Sequence, residues 1–165
     1  MIGIMGDSHD NKDAIESAVN FFNQEGVGLV IHTGDIISPF TIEFFKNLKC
    51  EFKGVFGNNE GDRKTLNKKL AEINAEFTSF AEFEVAGKNF AAYHGTDPSL
   101  LDAIVKSEKY DVVATGHTHT PEVTLEGKTL IVNPGETCGY LTGVMTVALL
   151  DTETMSADIK ELTNI

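Results

Sequence analysis

Five short segments of this chain end in side chains able to bind a metal ion, and together they use four of its five histidines. They are Asp7-Ser8-His9, Gly34-Asp35, Gly57-Asn58-Asn59-Glu60, His94-Gly95 and Gly116-His117-Thr118-His119. Asp7 and His9 stand two residues apart, so extended backbone would put both on one face, where they could share a divalent ion. His117 and His119 repeat that spacing and carry the same expectation. A carboxylate such as Asp35 has two oxygens and can bridge two cations, which imidazole cannot do. Asn58 offers a neutral carbonyl oxygen. These two Asp, four His and one Asn roughly supply two five- or six-coordinate ions once water fills the gaps. Two such ions roughly 3.5–4 Å apart form a clamp for in-line displacement at phosphorus. The two carboxylates cancel half the charge of the ions, leaving a positive site for a phosphate. Mixed O and N donors without thiolate favour Mn, Fe, Co, Ni or Zn over Ca or Cu(I).

Something must carry these residues to one place. Each motif follows a run rich in small and β-branched apolar residues, at 2–5, 29–31, 55–56, 90–93 and 112–115. A strand that stops in a glycine-containing turn aims the next side chains into the crevice beyond the sheet's edge. Between the early strands, residues 13–24 have helical apolar spacing (Ala14, Ile15, Ala18, Val19, Phe22) and meet Gly26 as a stop. Ser38-Pro39 reads as the cap and first-turn proline of a second helix running to about residue 48. Strand 51–56 and a Lys-rich helix over 62–74 follow. The second half changes character, with hairpins around Ala86-Gly87-Lys88, Glu126-Gly127-Lys128 and Asp151-Thr152, and one more helix over 97–106. Alternating units followed by hairpins predict an α/β fold with two sheets face to face and helices outside, a four-layer α/β/β/α sandwich. A plain doubly wound sheet is the weaker alternative.

The chain has 165 residues and no linker or repeat, so one domain over 1–165 is expected. A formal charge of −12 argues against duplex nucleic acid, whose phosphates are bound through Lys and Arg. It argues equally against an anionic membrane. Cys50 and Cys138 form no CxxC pair and read as reduced, structural thiols of a reducing cytosol. With Asp7 interrupting the first apolar run there is no signal-peptide pattern, and the uncharged run 137–150 is too short to span a bilayer. A cytoplasmic location is the expectation. His32 lies inside a strand and reads as a hydrogen-bonded core residue. Walker A, GxSxG and HExxH patterns are absent from the sequence.

The ordered set Asp-x-His, Gly-Asp, Gly-Asn-x-Glu, His-Gly, Gly-His-x-His resembles that of the calcineurin-like metallophosphoesterases, over nearly the whole chain. The length and the Asn133-Pro134-Gly135-Glu136 turn are similar to the short YfcE-like phosphodiesterase branch, some of it archaeal. The resemblance implies that Asp7, His9 and His119 hold one metal, that Asp35 bridges, and that Asn58, His94 and His117 hold the other. It implies two divalent transition-metal ions, Mn or Ni first and Zn, Fe or Co after them, with a bridging water or hydroxide as nucleophile. The expected reaction is hydrolysis of a small phosphodiester, with Asn58, Asn59 and His94 as the catalytic group. A phosphomonoesterase and a noncatalytic interaction scaffold are the alternatives; a homo-oligomer, dimer or tetramer, is compatible with either. Three positions depart from the pattern. Many members have His where Asn59 stands, as proton donor to the leaving group; Asn59 cannot donate, and is expected to orient a phosphate oxygen instead. Thr96 replaces a further histidine, and Glu60 stands where the short branch often has Asp. The Asn133–Glu136 turn is expected to shape the rim of the site.

Overall fold

Strand β1 (Ile2–Met5) is apolar and buried along its whole length, as a strand must be when one face meets helices and the other a second sheet. The computed structural model describes residues 1–162. After β1 come α1 (Lys12–Glu25), β2 (Leu29–His32), a 3-10 helix (Pro39–Phe45), β3 (Glu51–Val55), α2 (Arg63–Ala71) and the two-residue β4 (Phe77–Thr78). The second half runs β5 (Ala81–Val85), β6 (Lys88–Ala92), α3 (Pro98–Lys106), β7 (Val112–Ala114), β8 (Glu122–Glu126), β9 (Thr129–Asn133), β10 (Thr146–Asp151) and β11 (Ser156–Glu161).

These strands form two sheets, one of six in the order β11-β10-β1-β2-β3-β4 and one of five in the order β5-β6-β7-β9-β8. The alternation of side chains along each strand sorts the core into three layers. Met5, Val30, Phe52, Val147 and Leu149 leave one face of the larger sheet and pack with Ile15, Val19 and Phe22 of α1, Ile42 and Phe45 of the 3-10 helix, and Leu66 and Leu70 of α2. Ile2, Ile4, Leu29, Ile31, Ala148 and Leu150 leave the opposite face and meet Phe90, Ala92, Val112, Ala114, Leu130 and Val132 of the smaller sheet. Ala91 and Val113, on that sheet's outer face, pack with Leu101, Ile104 and Val105 of α3. The layers are therefore helices, sheet, sheet, helix, as the alternation and late hairpins predicted.

One helix differs from expectation. The segment after Ser38 is a 3-10 helix ending at Phe45, and Ser38 makes no side-chain cap. Its hydroxyl is donated to Asp10, which also accepts from the Ser38 amide at 3.0 Å and from the Thr41 hydroxyl. A distant carboxylate has thus taken the group that would have capped an α-helix, and β-branched Thr41 and Ile42 add no helical preference to oppose it. The edge strand β4 was not anticipated; two residues are too few to show a period.

Within the larger sheet β1, β2 and β3 are parallel, and within the smaller so are β6, β7 and β9. The C-terminal ends of both parallel sets meet. The Thr137 amide donates to the Gly6 carbonyl (2.9 Å) and the Cys138 amide to that of Asp7 (3.1 Å), sewing the loop after β9 to the end of β1. Six strand ends, not five, open onto this crest. Among the described residues no helix is long and apolar enough to cross a membrane.

Candidate metal centre

At the crest the backbone leaves the extended region. Asp7 (φ 48°), His9 (42°), Asp35 (61°), His117 (71°) and His119 (61°) all have left-handed φ. For residues other than glycine this costs on the order of 1 kcal/mol each, with Asp and His among the more tolerant. The expected shared face of an extended Asp-x-His is therefore not how Asp7 and His9 converge. Instead a tight double loop carries them: the Asp7 amide donates to the Gly34 carbonyl (2.9 Å) and the His9 amide to the Asp35 carbonyl (3.0 Å). His117 and His119 do not share a face either. The His119 ring lies 5.1 Å from that of His9, whereas the His117 ring lies 5.1 Å from that of His94. Consecutive left-handed turns have sent them to opposite sides of the crest. Glycine clears the approach: a Cβ on Gly57 would stand 2.0 Å from Asp35 Oδ1, and one on Gly116 2.7 Å from Asp7 Oδ2.

All seven residues singled out by the sequence surround this crest. On one side His119 Nε2 is 3.4 Å and His9 Nε2 3.8 Å from Asp7 Oδ1. Asp35 stands between the sides, its Oδ2 3.6 Å from His9 Nε2 and 3.4 Å from His94 Nε2. On the other side His94 Nε2 is 3.1 Å from Asn58 Oδ1. Donor atoms of Asp7, His9 and His119, and again of Asp7, Asp35 and His94, lie mutually within 4.8 Å.

The donor set fits metal ions on its own chemistry. Asp7 and Asp35 are 0% and 2% exposed, and among the described residues neither is paired with Lys or Arg. Two buried carboxylates without a cation are strongly disfavoured. Asp7 Oδ1 and His9 Nε2 are buried without any hydrogen-bond partner, and an ion shared between them would satisfy both. His94 Nδ1 lies 2.8 Å from the Thr33 carbonyl and His119 Nδ1 2.6 Å from Glu136 Oε2. Oxygens that only accept require Nδ1–H, which leaves each Nε2 free to bind. The electrostatics agree. The Asp7 carboxylate beside it raises the His9 pKa above its ordinary value against the pull of burial. Burial alone would raise the Asp35 carboxyl, but His94 and the Asn59 donors hold it well below the usual carboxylate range.

Around these donors sits a supporting layer. Glu60, buried, accepts from the Ile36 amide (2.8 Å) and the Gly57 amide (2.7 Å), stapling the loops after β2 and β3 together. Arg63 stacks on Phe56 at 5.0 Å and donates to the Gly57 carbonyl at 2.8 Å, fixing the turn that presents Asn58. Asn59 gives its side-chain N–H to Asp35 Oδ2 (2.6 Å) and its backbone N–H to Oδ1 (3.0 Å). Its side chain is thus turned onto the carboxylate. The Thr96 hydroxyl reaches Asn58 Oδ1 at 3.4 Å. His32 is fully buried, its Nδ1 accepting from the Gly34 amide (3.1 Å) and its Nε2 meeting Ser8 Oγ (3.0 Å). Burial lowers its pKa to about 3, so it is the neutral core residue that its place in a strand suggested.

Sequence reasoning missed the weight of Glu136. It is buried and accepts from His119, Cys138, Leu141 and Thr142. The signal was the Asn-Pro-Gly-Glu turn after β9, a sixth strand delivering a sixth loop to the same edge.

The sequence model of the calcineurin-like phosphoesterase superfamily domain matches residues 1–155. A phosphodiesterase of Methanocaldococcus jannaschii is 44% identical over 154 residues, covering 92% of this chain and 93% of the relative. The solved structure of an archaeal phosphodiesterase has a TM-score of 0.94 at 41% identity, over 98% of this chain and 99% of that one. The Escherichia coli phosphoesterase YfcE shares the fold, with a TM-score of 0.73 at 16% identity over 98% and 99% of the two chains.

Proposed function

The chain belongs to the calcineurin-like phosphoesterase superfamily, and we propose that it is a metal-dependent phosphodiesterase acting on a small phosphodiester through two divalent ions. The observation that carries the two-ion reading is the place of Asp35 Oδ2, 3.6 Å from His9 Nε2 and 3.4 Å from His94 Nε2, where one carboxylate faces two groups of donors. Asp7, His9 and His119 would hold one ion, Asn58, His94 and His117 the other, with Asp35 shared. Mn²⁺ or Ni²⁺ suits this set of O and N donors, with Zn²⁺, Fe²⁺ and Co²⁺ after them. When bound, the ions would acidify a water for attack on phosphorus and neutralise the phosphate's charge.

The chain's own residues do the rest. Thr33 and Glu136 fix the tautomers of His94 and His119, so neither imidazole has to reorient. Glu60 and Arg63 hold the Gly57–Glu60 turn against the Asp35 loop. Asn59 steadies Asp35 and brings no titratable proton to a leaving group, so the reading favours esters with a good leaving group, such as a nitrophenolate, over alkyl esters. The name of the 44% identical archaeal relative supports a diester, and the net charge of −12 supports a small substrate over duplex nucleic acid. The reading takes 1–165 as one domain working in the cytoplasm. The test is hydrolysis of a bis-aryl phosphodiester by metal-stripped protein, before and after addition of Mn²⁺ or Ni²⁺. Activity should vanish on exhaustive chelation and return with metal. Hydrolysis indifferent to chelation would refute the mechanism, and a preference for aryl monoesters would refute the diester assignment.

A further inference from the structure

Glu136 has more hydrogen-bond partners than any other carboxylate at the crest, and they come from two directions. Its Oε2 accepts from His119 Nδ1 at 2.6 Å and from the Cys138 thiol at 3.3 Å. Its Oε1 accepts from the amides of Leu141 (2.9 Å) and Thr142 (2.5 Å) and from the Thr142 hydroxyl (2.7 Å), the Leu141 amide also reaching Oε2 at 3.2 Å. One set holds an imidazole that faces Asp7; the other holds the segment between Gly139 (φ 67°) and Gly143 (φ 79°). That segment exposes Tyr140 at 62% and Leu141 at 75%, so apolar burial does little to fix it, and the buried carboxylate is its main anchor. His119, Glu136 and Cys138 also bring donor atoms within 4.8 Å of one another. A third ion there is disfavoured, because every lone pair of Glu136 already has a donor. Burial and the neighbouring carboxylate moreover push the Cys138 thiol up to about 12, which keeps its proton on sulfur.

We propose that Glu136 is a positioning residue that locks His119 with its proton on Nδ1 and ties that imidazole to the 139–144 segment, so that ion binding beside Asp7 and ordering of this segment are coupled. The inference rests on the metal-centre reading above and adds a residue and a coupling to it. The physical basis is reciprocity. A carboxylate that fills one lone pair with His119 and others with Leu141 and Thr142 cannot shift toward one without loosening the other. An ion drawing on His119 Nε2 makes its Nδ1–H a stronger donor, which fixes the carboxylate and through it the segment. By linkage, a segment that is held in place favours the ion.

The test uses the full-length protein with Zn²⁺ as a diamagnetic probe. Nitrogen NMR of the wild type should show His119 carrying its proton on Nδ1 with and without Zn²⁺, and amide exchange at Leu141 and Thr142 should slow when Zn²⁺ is added. In Glu136→Gln, an isosteric change, affinity for one of two Zn²⁺ ions should fall about 10–100-fold, the other should be unaltered, and exchange at Leu141 and Thr142 should no longer respond to metal. Should the variant fail to fold, the wild-type tautomer and exchange measurements still decide the matter. A proton on His119 Nε2, or unaltered Zn²⁺ affinity at both sites of Glu136→Gln, overturns the proposal and leaves the metal centre standing. A wild type that takes up no Zn²⁺, Mn²⁺ or Ni²⁺ removes the centre and this proposal with it.

Discussion

The two sides of the crest are built from different materials. Beside Asp7 the donors include a fully buried carboxylate, and the His119 imidazole is backed by a second carboxylate, Glu136. Across Asp35 the His94 imidazole is backed only by the Thr33 carbonyl, the amide donor Asn58 is exposed, and His117 approaches His94 ring to ring. An anionic partner raises the basicity of an imidazole more than a neutral one does. The Asp7 side should therefore grip its ion more tightly, and the Asn58 side should hold the exchangeable one. Asp35 faces both, its Oδ2 3.6 Å from His9 Nε2 and 3.4 Å from His94 Nε2, and its loss should be felt on both.

The sharpest way to break that comparison is to remove the shared donor and then a donor of one side. Asp35→Asn should lose both ions and reduce kcat/KM by more than the ~100-fold upper end seen for residues that merely orient a ligand. The amide withdraws a negative charge from between two cations and leaves Asn59 facing a donor. Asn58→Ala should weaken one ion by at least about tenfold, the lower end of the range for residues that merely orient a ligand, and leave the other in place. Calorimetric titration with Mn²⁺, alongside metal counting after dialysis, separates the cases. Two tightly held ions in Asp35→Asn would show that the carboxylate does not bridge, and loss of both in Asn58→Ala would show that the sides are not independent.

How much of this asymmetry was visible in the sequence depends on range. The strands were legible because Ile2–Met5 and Leu29–His32 are buried on both faces and so read as unbroken apolar runs. The donors were legible because each motif follows such a run and carries a glycine beside its first donor. What failed needed contacts between distant residues. The backing of His119 by Glu136 spans 17 positions, and the diversion of Ser38 from its helix to Asp10 spans 28. The left-handed φ of Asp7, His9, His117 and His119 also leaves little local trace, because Asp and His are tolerated there without being required. Consequently the identity of the donors could be read, while the way each side is held could not.

A smaller effect concerns the step after the ions are in place. Asn59 donates to Asp35 Oδ2 at 2.6 Å, so Asn59→His exchanges a clamp on the shared carboxylate for a proton donor. The clamp serves every substrate; the proton serves only poor leaving groups. Relative to wild type, kcat/KM of Asn59→His should therefore fall modestly for nitrophenyl diesters and rise for alkyl ones. The gain should reach at most about 10²-fold, the low end for general acid catalysis. A plot of log kcat/KM against leaving-group pKa should be steep in the wild type and shallower in the variant. Equal slopes would mean that another group already supplies the proton.

The smallest effect leaves catalysis at neutral pH untouched and separates the crest from the floor beneath it. His32 accepts from the Gly34 amide and meets Ser8 Oγ, so it supports the loops after both β1 and β2 without facing the donors. Burial holds its pKa down at about 3, against 6.5 for the free side chain. Between those pH values the unfolded chain binds a proton that the native protein refuses, so stability rises with pH through the window. His32's contribution is complete above about pH 6.5 and is lost as pH falls toward 3, with a slope of at most about 1.4 kcal/mol per pH unit. His32→Gln keeps a side-chain donor for Ser8 and does not titrate. Urea unfolding of the two metal-stripped proteins across about pH 4–7 should give curves that converge as pH falls, the wild type losing its advantage. Because His32 is not among the proposed donors, the same convergence should appear with metal bound, whereas changes arising from the crest should be suppressed. Parallel curves, or a convergence abolished by metal, would place the acid-sensitive group at the crest and not under it.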